Sequence, residues 1–176
     1  MARQQKEVIE EVPTSALPTK SLFDRVAGFL DANDWNYTAF EDKGYFSMGC
    51  RIQGTSIRVI IDVTESEDWK RVLALATYPI FVPEHRRSAV AESLTRINYR
   101  TAFGNLEMDF ADGEVRVRTA FEVTGEFADS MIENALNSSI RTADHYFAPI
   151  MAVVFGNVAP EKVLELAEKP ADATLQ

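Results

Sequence analysis

The chain has 176 residues, 46% of them hydrophobic, and a formal net charge of −9 from 18 basic and 27 acidic side chains. That length fits one domain with tails, and the apolar fraction is enough to build a core without disulfides. The acidic balance opposes binding to a nucleic-acid backbone, which requires clustered Lys and Arg. The sequence has no apolar run of membrane-spanning length and no apolar export signal near its start, so we expect a cytoplasmic protein that does not enter a membrane.

The chain divides into four predicted segments. Residues 1–18 contain two prolines and many polar side chains, and we interpret them as a flexible N-terminal arm. Residues 19–157 carry the alternating and helical patterns of a single α+β domain. Residues 158–169 predict a short C-terminal helix that starts near Pro160, and residues 170–176 predict a disordered tail.

The first half of the domain predicts one helix and then a run of strands. Ser21 and Asp24 match a capping box, and the apolar residues after them recur at helical spacing, which predicts a helix over 22–32. The strand signals that follow have short connections and no helix between them, which favours an antiparallel meander. They lie at residues 37–40, 45–52, 57–63 and 72–78, and the last has a mixed pattern.

A second helix is predicted to begin at Pro83, at the first helical position that proline favours, and to end at Asn98 or Tyr99. The sequence Asp112-Gly113 then stands between two alternating runs, which predicts a β-hairpin with a two-residue type I′ turn.

The hairpin register follows from that turn. It pairs Phe110 with Val115, Asp109 with Arg116, Met108 with Val117 and Glu107 with Arg118, so one face is apolar and the other is charged. We interpret the arginines as partners of the facing carboxylates on a solvated face, in preference to an anion site.

The third helix is predicted to begin near Ala128, with a kink or break at Pro149 because proline removes one helical hydrogen bond. Its last part is more apolar than one buried stripe requires. We interpret this part as a partner or dimer surface, with a second core face as the alternative. The surface would consist of Ile150, Met151, Val154 and Phe155.

A search for chemistry finds no catalytic constellation. The two histidines, His85 and His145, have no His or Cys at metal-ligand spacing, and Cys50 lies alone in an alternating run that is typical of a core strand. The sequence also lacks the glycine-rich phosphate loop and the nucleophile elbow. We therefore expect no catalytic residue, no metal and no cofactor, and a chain that is not an enzyme.

These elements and their connecting motifs resemble the YbjN-like family of bacterial sensory-transduction regulators. The resemblance extends over roughly residues 21–156. It depends on the amphipathic segment Leu22–Leu30 with Asp34-Trp35, on Val82-Pro83, on Leu94-x-x-Ile97-Asn98, on Gly104-Asn105-Leu106-Glu107-x-Asp109 and on Asp112-Gly113-Glu114-Val115-Arg116.

The resemblance implies a fold similar to the type III secretion chaperones. That fold is α+β, with a twisted antiparallel sheet of about five to six strands flanked by helices in the order α-β-β-β(-β)-α-β-β-α-α. Such folds commonly act as homodimers that bind other proteins, and the family has no catalytic residues to transfer to this chain.

Three functional hypotheses follow. The first is a non-enzymatic cytoplasmic protein that binds a protein partner in a regulatory or chaperone-like role, as a homodimer. Besides the end of the third helix, the outer face of the second helix is a contact candidate. The alternative is a small-ligand sensor with a pocket between sheet and helices, lined by Phe46, Met48 and Phe110. The third is a hydrolase that uses His85 or His145.

Overall fold

The computed structural model describes residues 20–168, so the predicted arm 1–18 and tail 170–176 lie outside the described residues. Its helices and strands follow the α+β order that the sequence predicts. They are α1 (Leu22–Ala32), β1 (Thr38–Phe40), β2 (Tyr45–Ile52), β3 (Thr55–Glu65), β4 (Lys70–Phe81), α2 (Arg87–Asn98), β5 (Asn105–Met108), β6 (Glu114–Glu122), α3 (Asp129–Phe155) and α4 (Val163–Ala167).

The helix α1 begins where the sequence predicts. The hydroxyl of Ser21 accepts the backbone N–H of Asp24 at 3.1 Å, and the Asp24 carboxylate accepts the backbone N–H of Ser21 at 3.3 Å. These two bonds form the predicted capping box. The N–H of Leu22 donates to the carboxylate of Glu65 at 2.8 Å, which connects the start of α1 to the end of β3.

The six strands form one antiparallel sheet in the order β1-β2-β3-β4-β6-β5. The first four strands are a meander, as the short connections predict. The chain then passes through α2, so β5 forms the outer edge beyond β6. At the opposite edge β1 pairs only with residues 45–47 of β2, so the rest of β2 has no described strand on that side.

The β5 edge is covered by a side chain of α2. The Asn98 amide donates to the carbonyl of Leu106 and accepts its N–H, both at 2.8 Å. It therefore makes the two hydrogen bonds that a further strand would make.

The helices lie over one face of the sheet, and the core fills the space between them. Alternate residues of the central strands point into it; Val59 and Ile61 of β3 are fully buried. The hydroxyl of Tyr78 in β4 donates to the carbonyl of Ala143 in α3 at 2.8 Å, which fastens the longest helix to the sheet. Burial raises the pKa of this hydroxyl, so it remains a donor.

The hairpin between β5 and β6 has a wider loop than the sequence predicts. Met108 pairs with Val115 and Glu107 with Arg116, a shift of two residues from the predicted register. The loop closes with hydrogen bonds from Asp109 to Glu114 and from Gly113 to Asp109, and only Gly113 within it has a positive φ, of 88°. A shift of two residues keeps the side chains that remain in the two strands on their predicted faces, whereas Phe110 leaves the strand.

Three helix predictions also differ in detail from the structure. Of the kink or break predicted at Pro149, the break is absent, because α3 is helical without interruption through the buried Pro149. Pro83 precedes a 3-10 turn at Glu84–Arg86, and α2 follows that turn. The predicted C-terminal helix is likewise a 3-10 turn, Pro160–Lys162, followed by α4.

Candidate protein-binding surface

The end of α3 divides between the core and the surface. Ile150 and Val154 are buried in the core, Met151 is half-buried, and Phe155 is 65% exposed. The core face considered as the alternative for this run therefore accounts for Ile150 and Val154. Met151 and Phe155 are the two members of the predicted surface that reach solvent.

The surroundings of the two histidines do not support the hydrolase hypothesis. His85 and His145 are both exposed, and the described residues contain no cluster of three metal-ligating side chains. Burial, and then the charge of Asp144, raise the pKa of the Cys50 thiol, which keeps it protonated and a poor nucleophile.

The predicted ligand pocket does not form. Phe46 is fully buried, and its ring stacks on Phe23 at 4.2 Å and meets Tyr37 edge-on at 5.4 Å. Met48 lies in the same core, whereas Phe110 lies in the wide hairpin loop and is 58% exposed. The two-residue register placed Phe110 on a strand, and the wider loop removes it from the core.

The face of the sheet that points away from the core is a second candidate surface. Its residues alternate with buried neighbours, and we call them together the open face. The open face comprises Arg51 of β2; Arg58, Ile60 and Asp62 of β3; Arg71, Leu73, Leu75 and Thr77 of β4; Glu107 of β5; and Glu114, Arg116, Arg118, Ala120 and Glu122 of β6.

An apolar strip occupies the middle of the open face. Ile60 lies opposite Leu75, and Leu73 lies beside them on β4, opposite Ala120 of β6. Ile60, Leu73 and Leu75 are only half-buried, and no described helix packs over them. Leu and Ile on an uncovered sheet face are a candidate contact surface.

Two exposed aromatic rings stand at one corner of the open face. Phe81, at the end of β4, is 63% exposed, and Phe110 is 58% exposed. Glu114 lines the groove beside Phe81 and also the groove beside Phe110, so the two rings flank the same carboxylate. Exposed aromatic residues beside arginines are typical of energetic centres in protein interfaces.

An ion-pair network connects this corner to the apolar strip. Arg116 donates to Glu107 at 2.5 Å, and Arg118 lies 3.8 Å from the same carboxylate. Glu114 lies 3.7 Å from Arg116 and 3.6 Å from Arg58. Arg118 therefore contacts its predicted partner Glu107, whereas Arg116 contacts Glu107 and Glu114 in place of the predicted Asp109.

Sequence reasoning missed the open face because its members come from five strands. One signal was present: the residues around Leu73 and Leu75 are apolar on both faces of β4. A strand with one solvent face normally alternates, so the mixed pattern indicated that the outward side of β4 is also apolar.

Comparison with known families assigns the chain. Residues 22–151 match the model of the YbjN family, described as "Putative bacterial sensory transduction regulator". The chain belongs to the YbjN family. The resemblance inferred from the sequence motifs is therefore confirmed for this YbjN-family chain.

No curated protein matches this YbjN-family chain. A chain in the "Structure of the HopA1-SchA Chaperone-Effector Complex" is similar to it, with a TM-score of 0.45 and 14% identity, over 69% of this chain and 90% of that chain. No helix in residues 20–168 has the length and apolarity needed to span a membrane.

Proposed function

We propose that this chain is a non-enzymatic bacterial regulator of the cytoplasm, that it acts by binding a protein partner, and that the open face is its contact surface. The observation that carries the proposal is the apolar strip of Ile60, Leu73 and Leu75, which is only half-buried and lies next to the arginines of the open face. The regulatory part of the proposal is supported by the description of the family.

The composition of the open face supports protein binding more than catalysis. Protein interfaces are enriched in aromatic residues and arginine, and their centres are apolar. The face has apolar, aromatic and arginine side chains together, while Cys50 is held in its protonated form and the histidines stand apart in solvent.

Site-specific photocrosslinking in cells tests the proposal. A photoreactive phenylalanine analogue replaces Phe81 on the open face or, as the matched control, Tyr99 at the end of α2, which is 93% exposed. We expect a crosslinked partner from position 81, and expect it to be lost when Leu75→Glu is added. Equal crosslinking from both positions, or none from position 81, would contradict the proposal.

We further propose that the chain forms a homodimer through the exposed end of α3, where Met151 and Phe155 reach solvent. Light scattering at high micromolar concentration measures this directly. The Phe155→Ser variant is expected to be a monomer, whereas Phe103→Ser, at a ring that is 71% exposed elsewhere, is expected to remain a dimer. A monomeric wild-type chain would rule the dimer out.

A further inference from the structure

We propose that the partner segment that binds the open face is an extended, acidic stretch of protein that also carries large apolar side chains. This inference rests on the proposed function and names the chemistry of the partner. It is carried by the charge balance of the face, by the hydrogen bonds that its arginines leave unmade, and by their position beside the apolar strip.

The arginine network on the open face has more cations than anions. Arg58, Arg116 and Arg118 share the two carboxylates of Glu107 and Glu114. Arg51, exposed on the same face, makes no ion pair within residues 20–168. Over the whole open face, five arginines stand against four carboxylates, and Arg71 is paired with Asp62. The face therefore has a small positive balance on a chain whose formal charge is −9, so an acidic partner is attracted to this face in preference to the remaining surface.

Two of the arginines, Arg58 and Arg118, have N–H donors that make no hydrogen bond to the described residues. Arg58 lies 3.6 Å from Glu114 and Arg118 lies 3.8 Å from Glu107, and neither side chain makes a hydrogen bond to any other described residue. Their side chains are 59% and 44% exposed. A guanidinium has five N–H donors in a planar fork that fits a carboxylate with two bonds, so both arginines can bind a carboxylate of a partner.

Leu75 of the apolar strip lies on the strand between those that carry these two arginines. Arg58 on β3 faces Thr77 on β4, and Thr77 faces Arg116 on β6, while Arg118 is the next outward residue of β6 and lies opposite Leu75. Strands lie about 4.8 Å apart, so Arg58 and Arg118 are separated by roughly 10 Å or more with Leu75 between them. An extended segment with carboxylates on both sides of a large apolar side chain matches this order.

A nucleic acid fits the same surface poorly. Asp62, Glu107, Glu114 and Glu122 stand among the arginines, so the face lacks the continuous run of cations that the evenly spaced charges of a phosphate backbone require. A peptide can place its carboxylates beside the arginines and its apolar side chains on the strip. A phosphate backbone carries one anion at every nucleotide and has no apolar side chain to place there. The face therefore favours an acidic peptide.

Selection from a random dodecapeptide library against the full chain tests the inference. We expect the enriched peptides to have a net negative charge and at least one aromatic or branched aliphatic residue. Their affinity should fall at least roughly tenfold in the Arg58→Ala/Arg118→Ala double variant, and should weaken as the salt concentration rises. The matched control is Arg96→Ala/Arg141→Ala, which removes two exposed arginines from α2 and α3.

The outcomes separate this inference from the proposed function. Basic or neutral peptides that lose affinity in Phe81→Ser would overturn the acidic partner and leave the open face as the binding surface. Acidic peptides that bind the double variant as tightly as the wild type, or a selection that enriches nothing, would also overturn it. Tight binding of a fluorescent DNA oligonucleotide that the double variant abolishes would replace the peptide with a nucleic acid. Thermal melts of both double variants establish that they fold.

Discussion

Gly113 lets the hairpin loop pack closely on Val82, the residue that follows β4. Its carbonyl accepts the N–H of Val82 at 2.9 Å, and a Cβ built at Gly113 would lie 2.4 Å from the carbonyl oxygen of Val82. Its φ of 88° is a region that residues with a Cβ rarely adopt. Both the conformation and the close approach therefore require glycine.

We predict that Gly113→Ala lowers the free energy of unfolding by more than about 2 kcal/mol. The control is Gly49→Ala, where the new Cβ meets nothing within 4 Å. That variant should unfold at unchanged or slightly higher urea concentration. Equal urea midpoints for the two variants would contradict the prediction, because they would mean that the loop moves away from Val82 with no loss of folding free energy.

Asn98 gives a second prediction at the residue scale. Its amide satisfies both outward backbone groups of Leu106, so Asn98→Ala leaves an N–H and a C=O of β5 without their partner. We expect a loss of about 1–3 kcal/mol in urea unfolding. Thr95→Ala, which removes an exposed hydroxyl one turn earlier on α2, should cost less than about 0.5 kcal/mol.

At the scale of elements, the contact between Glu65 of β3 and the start of α1 gives a prediction about pH-dependent stability. A hydrogen bond from Lys70, and then one from the N–H of Leu22, lower the pKa of the Glu65 carboxyl from its ordinary value of 4.5. A carboxyl with a lowered folded-state pKa stabilises the fold fully above its unfolded pKa, and this contribution disappears as the pH falls through the folded pKa.

We therefore expect Glu65→Gln to be less stable than the wild type at pH 7, and the difference to shrink as the pH falls below about 4.5. Urea unfolding at a series of pH values measures it. Glu67→Gln, in the same turn, is the control because Glu67 makes no hydrogen bond or ion pair to the described residues. A difference that stays constant down to pH 2 would contradict the role of the charge.

The helices and strands differ in how far nearby residues determine where they begin and end. The bounds of α1 follow from Ser21 and Asp24, which satisfy the helix start with bonds three residues apart. The register of the hairpin and the break at Pro149 were mispredicted, and both lie where the chain meets residues distant in sequence. Gly113 accepts a hydrogen bond from Val82, about thirty residues earlier, and Pro149 is buried within an uninterrupted α3. Local rules predict an element well where its decisive contacts are local.

At the scale of the molecule, the sheet is covered on one side. Ile61 points to the helices and is fully buried, while its neighbour Ile60 points to the open face and is half-exposed. We expect Ile61→Ala to cost about 2–5 kcal/mol in urea unfolding and Ile60→Ala about 1 kcal/mol. A cost for Ile60→Ala as large as that for Ile61→Ala would mean that something covers the open face in solution.

The candidate site was the least predictable part of the molecule. Period-two patterns assign each residue to one face of a strand, and they identified the core side of β2, β3 and β6. They do not reveal that Ile60, Leu75 and Arg118 stand in one row, because the neighbours of β4 are set by the passage of the chain through α2. A surface that spans strands becomes visible only with the topology.

The two edges of the sheet have unequal consequences for self-association. A sheet that grows by adding copies edge to edge needs two unpaired edges on every copy, one to receive and one to extend. In the part of the chain that is described, Asn98 closes the β5 edge, whereas β2 is unpaired beyond residue 47. Within residues 20–168, strand pairing between copies would therefore be limited to the β2 edges of two molecules, because Asn98 already occupies the outward backbone groups of Leu106 on the other edge.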